Sequence, residues 1–378
     1  MGKQVQGDIY YEHRVTDYLE SQFREWDLPF ERQAVFPQRE NIIALLPGAV
    51  DPKQGGKLLM LEVHQDTVPV EGMTIDPFAA ELKDGRIYGR GSCDIKGGMA
   101  VYLTVFSRLM QLPVNQRPSI LLACSINEEH GFDGATQMAQ SFSDQSSTIM
   151  PRKPDAVIVA EPTMLDVVVA HKGVIRWVCQ THGKAAHSSD PSQGCNAIYT
   201  MAECVHHLKD YAENVLPTHA AYPQLGKPTL SVGTISGGIS VNTVPDQCEI
   251  EIDYRMNPGG DPLADRKAVI DFLASKLPDA TKVSHGPPTI ISPGLSAEKN
   301  QDLATQLIKT ANAQGHTSKA IGVPYGTDAP AFDLVDVPTV VFGPGSINQA
   351  HTKDEWVAVE QLEAAVEVVY EFCVGFGE

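Results

Sequence analysis

Short apolar runs of four to seven residues, nearly continuous in Leu, Ile and Val, recur along this chain between helix-patterned segments. They occupy residues 42–46, 58–63, 120–126, 156–160 and 339–342. A strand that is apolar on both sides must be covered on both sides, so helices have to pack above and below the sheet. The helices are legible too. Residues 98–112 place Met99, Tyr102, Leu103, Phe106 and Leu109 at helical spacing, and 357–376 repeat the pattern. The expected fold class is α/β, a central sheet flanked by helices. At 378 residues the chain has room for two domains, each with its own core.

Residues 173–287 follow a different grammar. A strand over 174–180 precedes a helix over 196–215, with Ala197, Met201, Cys204, Val205 and Leu208 on one face. Strands over 229–235 and 248–254 bracket a glycine-rich turn at 236–240; a helix over 262–277 and a short strand at 280–284 follow. The order β-α-β-β-α-β is that of a small split βαβ sandwich. It is expected as an insertion, residues 174–289, between the two parts of a larger domain, 1–173 and 290–378. Pro287-Pro288 and Pro293-Gly294 mark the return.

Composition removes several classes. Twenty-nine basic against 47 acidic residues give a net charge of −18, which argues against a nucleic-acid partner, since phosphates need a cationic surface. Seven cysteines, odd in number and without a CxxC pair, fit a reducing compartment rather than a disulfide framework. The first residues carry no apolar leader and no run is long enough for a transmembrane helix, so a cytoplasmic protein without a membrane partner is expected. P-loop, G-x-S-x-G, HExxH and dinucleotide fingerprints are all missing from the sequence.

The polar clusters share one position. His64-Gln-Asp66, Glu128-Glu129, Glu161 and His351 each lie at or just beyond the end of an apolar run. In an open α/β sheet, chemistry gathers outside the carboxyl ends of the strands. Two histidines and several carboxylates suit zinc or a similar divalent ion, and so many acids at one edge would repel without cations among them. Two metals sharing a carboxylate would absorb the set. Asp94, in the glycine-flanked loop 91–98, is the natural bridge. The strand period points Asp66 and His64 the same way, so Asp66 is expected to accept a proton from the imidazole nitrogen that binds no metal. Adjacent Glu128 and Glu129 point differently, so one can bind metal while the other serves as general base.

On these stretches the sequence resembles the M20 family of di-zinc peptidases and deacylases, most closely its acetylornithine deacetylases. The carrying segments are 64–69, 88–98, 127–129, 160–163, 170–173, 187–191 and 342–351, in family order across nearly the whole chain. The resemblance implies a zinc-peptidase-like catalytic domain with a central mixed sheet, and a ferredoxin-like α+β inserted domain that acts as lid and forms a homodimer. It implies two divalent ions, Zn2+ with Co2+ or Mn2+ as alternatives: His64 and Glu161 on one, Glu129 and His351 on the other, Asp94 between. Glu128 becomes the general acid/base, Asp66 orients His64, and a cis peptide follows Asp94. His187 matches a lid histidine that steadies the oxyanion in the opposite subunit. Asn242 and Arg255 match positions that hold a substrate carboxylate, and Asp328 is placed at the substrate pocket or at a helix N-cap. His171 and His182 are read as structural.

Against the family's pattern the chain is expected to lack a helix ahead of residues 7–20, and it carries Gly326-Thr-Asp328 where acetylornithine deacetylases tend to have Cys-Thr-Glu. The implied substrate is an N-acyl amino acid, N-acetylornithine first. A succinyl-diaminopimelate desuccinylase or an aminoacylase/dipeptidase is the alternative within the family. A catalytically silent metal-binding dimer and an amino-acid-binding module are the alternatives outside it; the first needs a broken ligand or base, and the second has no use for the Glu128-Glu129 pair.

Overall fold

A computed structural model describes residues 11–279 and 282–376. The first residues, on which the leader was judged, lie outside that range. In chain order the first elements are α1 (His13–Glu25), β1 (Phe30–Phe36), β2 (Arg39–Leu46), β3 (Leu58–His64), β4 (Glu81–Lys83) and β5 (Arg86–Tyr88). Next come α2 (Lys96–Met110), β6 (Ser119–Ser125), α3 (Asp133–Asp144), β7 (Ala156–Val159), β8 (Val167–His171), β9 (Gly173–His182) and β10 (Ala186–His187). Then follow α4 (Ala197–Asp210), β11 (Thr229–Gly237), β12 (Thr243–Val244), β13 (Gln247–Met256), α5 (Pro262–Lys276) and β14 (Val283–Ser292). The chain closes with α6 (Gln301–Ala313), β15 (Ala320–Val323), α7 (Ala329–Asp333), β16 (Thr339–Val341), β17 (Trp356–Ala358) and α8 (Val359–Gly375).

Two compact units result, one of residues 1–169, 296–321 and 327–378, the other of 170–295 with 322–326. The first is built on an eight-stranded mixed sheet in the order β1-β2-β6-β3-β7-β16-β8-β15. Its four central strands, β6, β3, β7 and β16, run parallel to one another. Every residue of β3, β6, β7 and β16 is buried, as strands covered on both faces must be. Helix α2 packs on β3 and on α8, while α3 packs on β1, β2 and α7. The stretch read as the start of a helix at Val357 is instead strand β17, which joins β5 and β4 in a separate three-stranded sheet. The β-branched and aromatic residues Trp356 and Val357 favour that strand.

In the second unit a four-stranded antiparallel sheet, β11-β13-β9-β14, carries α4 and α5. The chain order β9-α4-β11-β13-α5-β14 is the ferredoxin-like pattern. Alternation is clear in β13, where Cys248, Ile250, Ile252, Tyr254 and Met256 face the core between outward residues. The expected short strand at 280–284 is longer: β14 runs through Pro287 and Pro288, and positions 280 and 281 lie outside the described residues. Both prolines fit because β14 is an edge strand whose register shifts at 285/288 and 288/290. They sit within the strand rather than after it. Among the described residues no helix is long and apolar enough to cross a membrane, and the seven cysteines are unpaired.

Candidate metal centre

Because β6, β3, β7 and β16 are neighbours and parallel, their carboxyl ends meet at one edge of the sheet. His64 ends β3, and Gln65 fixes its exit by donating to the Cys124 carbonyl at 2.8 Å and accepting from Thr16 of α1 at 2.7 Å. Glu128 and Glu129 follow β6 through Asn127, whose φ of 67° turns the chain sharply into a short 3-10 turn. Glu161 lies two residues past β7, and His351 comes from the loop after β16. Asp94 arrives separately, from the loop between β5 and α2, and its peptide bond to Ile95 is cis. Gly91 in that loop has φ +79°, and a Cβ there would lie 2.8 Å from the Thr67 methyl, so only glycine suits the turn.

Asp94 is the hub. Its Oδ1 lies 3.1 Å from His64 Nε2, and its Oδ2 lies 3.2 Å from His351 Nε2. Glu161 Oε1 stands 3.9 Å from His64 Nε2, and Glu129 Oε2 stands 3.0 Å from His351 Nε2. Two ligand groups thus form, His64–Asp94–Glu161 and Asp94–Glu129–His351, each with its ligand atoms within 4.8 Å of one another. They share only Asp94. Of the five side chains, His64, Asp94, Glu129 and Glu161 are enclosed, whereas His351 is 43% exposed and leaves one side open.

Electrostatics say why such a set wants cations. Burial first, then the charge of Glu161, pushes the Glu128 carboxyl well above its ordinary range. Burial and then Asp94 do the same to Glu161, and burial raises Glu129. The Asp94 and Glu129 carboxylates hold the His351 imidazole up at about 10. Burial opposes ionisation of Asp94, but His351 and His64 hold it well below the usual carboxylate range. A site that forces carboxyls up and imidazoles up is short of positive charge. Two histidines and three carboxylates in overlapping triads match the donors that zinc and similar divalent ions take, so the residues fit a two-metal centre.

Asp66 is placed differently from expectation. His64 Nδ1 faces the Asp66 backbone carbonyl at 3.1 Å, while the carboxylate is 3.6 Å away, a charge contact rather than a hydrogen bond. The carboxylate instead accepts from the backbone N–H of Glu128 at 3.1 Å and of Glu129 at 3.0 Å. Burial would raise Asp66, but His64 and those two N–H groups hold it down at about 2. Asp66 therefore meets His64 through its backbone carbonyl and fixes, through its side chain, the turn that carries both glutamates.

Asp328 stands at the N-cap position of α7 but does not cap it. Its Oδ2 accepts from Ser125 Oγ at 2.8 Å, it is 1% exposed, and burial raises it to about 7. Beside it lies Glu62, wholly buried on β3, which burial and then the Asp328 charge push well above the usual range. Glu62 went unnoticed in the sequence because it sits inside an apolar run; a lone acid there is itself the signal. Glu355, fully buried and bonded to the Asp94 loop, was also missed, since Lys353-Asp-Glu355 reads as a solvated turn.

The remaining candidates lie in the second unit. His187 pairs with Thr243 across the β10–β12 ribbon. Its Nδ1 lies 2.7 Å from Ser189 Oγ and 3.2 Å from the Ser189 backbone nitrogen. Asn242 adjoins it, its carbonyl accepting from the Ser188 N–H at 3.0 Å. Arg255, on β13, gives Nε and Nη2 to Asp253 at 2.6 and 3.1 Å, and Asp253 also holds Arg176 at 2.5 Å. His171 is wholly buried and His182 bonds Ser284 Oγ at 2.7 Å.

A family model described as "Peptidase family M20/M25/M40" matches residues 60–374. Among solved structures, a tripeptidase from Staphylococcus aureus is 21% identical, with TM-score 0.74 over 96% of this chain and 92% of that one. Human carnosine dipeptidase 1 is 14% identical, with TM-score 0.76 over 97% and 91%. A dinuclear metal binding peptidase of the M20 family from Bacillus subtilis is 17% identical, with TM-score 0.66 over 97% and 92%. At these identities the likeness is one of fold.

Proposed function

Since the chain belongs to peptidase family M20/M25/M40, and so is a metal-dependent hydrolase of peptide or amide bonds, we propose that it removes the acyl group from an N-acyl amino acid. N-acetylornithine, giving ornithine and acetate, is the leading substrate. The observation that carries this reading is Asp94 dividing its two oxygens between His64 and His351, with the buried Glu128 carboxyl alongside.

Two ions, zinc by the chemistry of the donors, would be held by His64, Asp94 and Glu161 and by Asp94, Glu129 and His351. When bound they supply positive charge that polarises the scissile carbonyl and acidifies water. Glu128 takes a proton from the attacking water and delivers it to the leaving nitrogen. Asp66 keeps Glu128 in register through its backbone N–H. His187 steadies the developing oxyanion of a partner copy, the second unit serving as lid and dimer contact. Asn242 and Arg255 hold the substrate carboxylate, with Asp253 fixing the guanidinium plane. Seven unpaired cysteines are consistent with a cytoplasmic enzyme.

One observation favours a second reading within the family, an aminoacylase or dipeptidase. Asp328, the acid that would answer the ornithine side chain, is buried with Oδ2 bonded to Ser125, and burial raises it to about 7, which makes it a poor counter-ion for a cationic side chain. The test is a hydrolysis panel of N-acetyl, N-succinyl and dipeptide substrates with zinc, cobalt and manganese, alongside sedimentation for the dimer. Highest kcat/KM on N-acetylornithine supports the first reading, and a dipeptide optimum the second. Metal binding without turnover on any of them leaves a silent metal-binding protein.

A further inference from the structure

We propose that Glu355 is a positioning residue for the metal centre, the clamp that presents Asp94 to both ligand groups. The proposal rests on the reading of Asp94 as the shared metal ligand. Glu355 is 0% exposed and all its bonds go to one loop. Its Oε1 accepts the backbone N–H of Cys93 and of Asp94, each at 2.9 Å. Its Oε2 accepts the Gly91 N–H at 3.1 Å and Arg90 Nη1 at 2.6 Å. Four donors converge on two oxygens, which fills the carboxylate's acceptor capacity and neutralises its buried charge.

Backbone contacts set this clamp in place. Gly89 N–H donates to the Glu355 carbonyl at 3.0 Å, and Trp356 pairs with Tyr88 where β17 joins β5. Arg90 reaches on to the Pro69 carbonyl at 3.3 Å, in the loop that leaves β3 past His64. The segment that supplies His351 thus also supplies, four residues later, the anchor for Asp94. Two ligands from loops far apart in sequence are registered against each other by one side chain. A carboxylate present only to neutralise Arg90 would have no need of the Cys93 and Asp94 N–H groups.

Glutamine at 355 cannot reproduce this, because its amide nitrogen donates and must face one of the two donor pairs. The experiment is a zinc and cobalt titration of metal-stripped wild type, E355Q, E355D and D94N, with the thermal midpoint of each metal-free protein measured in parallel. Wild type should take up two ions per chain. E355Q should bind them about 10–100-fold more weakly, E355D should recover part of that loss by keeping the charge, and D94N should bind poorly. If wild type binds two ions and D94N loses them while E355Q keeps wild-type affinity, the clamp is overturned and the metal reading stands. If wild type binds none, the metal reading itself fails. Should E355Q not fold, amide exchange in metal-free wild type decides. Strong protection of the Cys93 and Asp94 N–H supports the clamp, and exchange at the rate of open loop amides overturns it.

Discussion

Glu128 and Glu129 are neighbours in sequence with separate surroundings. Glu129 faces His351 at 3.0 Å, whereas Glu128 is buried and its carboxyl is pushed upward by burial and by Glu161. That contrast is the physical basis for giving one to metal and the other to proton transfer. Glu128→Gln preserves size and removes the base, so it should keep metal content while kcat falls by about 10²–10⁴-fold. Metal analysis with steady-state kinetics checks this, and an unchanged kcat removes Glu128 from the role. The pair was legible in the sequence; the division of labour was only hinted at. It depends on the αL turn at Asn127 and on Asp66, 62 residues earlier, gripping both N–H groups.

Among elements, the parallel strands β6, β3, β7 and β16 do the gathering, and α2 closes the site from behind Asp94. That helix starts at Lys96, so its first turn must pass close to the loop it leaves. A Cβ at Gly97 would meet the Ser92 carbonyl at 2.5 Å and a Leu362 methyl of α8 at 3.1 Å. Gly97→Ala should therefore cost about 1–3 kcal/mol by overpacking, read as a lower thermal midpoint, with weaker metal binding if the strain passes into the Asp94 loop. An unshifted midpoint would show that the loop relaxes freely. The apolar runs announced the strands themselves because burial on both faces leaves little choice of residue. Strand β17 and the length of β14 were not announced. A three-residue strand has no periodicity to read, and Pro287-Pro288 signals a break unless the strand is known to lie at an edge.

For the whole molecule, pH and metal are linked. A carboxyl held above its ordinary 4.5, as Glu128, Glu129 and Glu161 are, costs stability once pH rises past that value. His351, raised to about 10, contributes stability that is complete below its ordinary 6.5 and is lost as pH climbs toward 10. Both slopes have the same sign. Asp66 and Asp94 run the other way below 3.8, and His171 and His285, lowered by burial to about 4, run the other way up to about 6.5. The metal-stripped protein should lose thermal stability between about pH 6.5 and pH 8, where His351 sets the slope, and added zinc should restore more of it at the higher pH, where fewer protons compete. Equal restoration at both values would contradict this account.

By itself the sequence determined the fold class, the family, and the five residues that the structure gathers into two ligand groups. Apolar runs must be buried, and parallel neighbours among them deliver the residues just past their ends to one sheet edge. Only the tertiary structure decided how those residues are held. It alone shows which oxygen of Asp94 meets which histidine, that Asp66 serves the glutamate turn as well as His64, that Asp328 is buried against Glu62, and that Glu355 anchors the Asp94 loop. Each of these is a hydrogen bond or a burial between segments tens to hundreds of residues apart. Local pattern encodes which face a residue takes, not which distant partner it finds there.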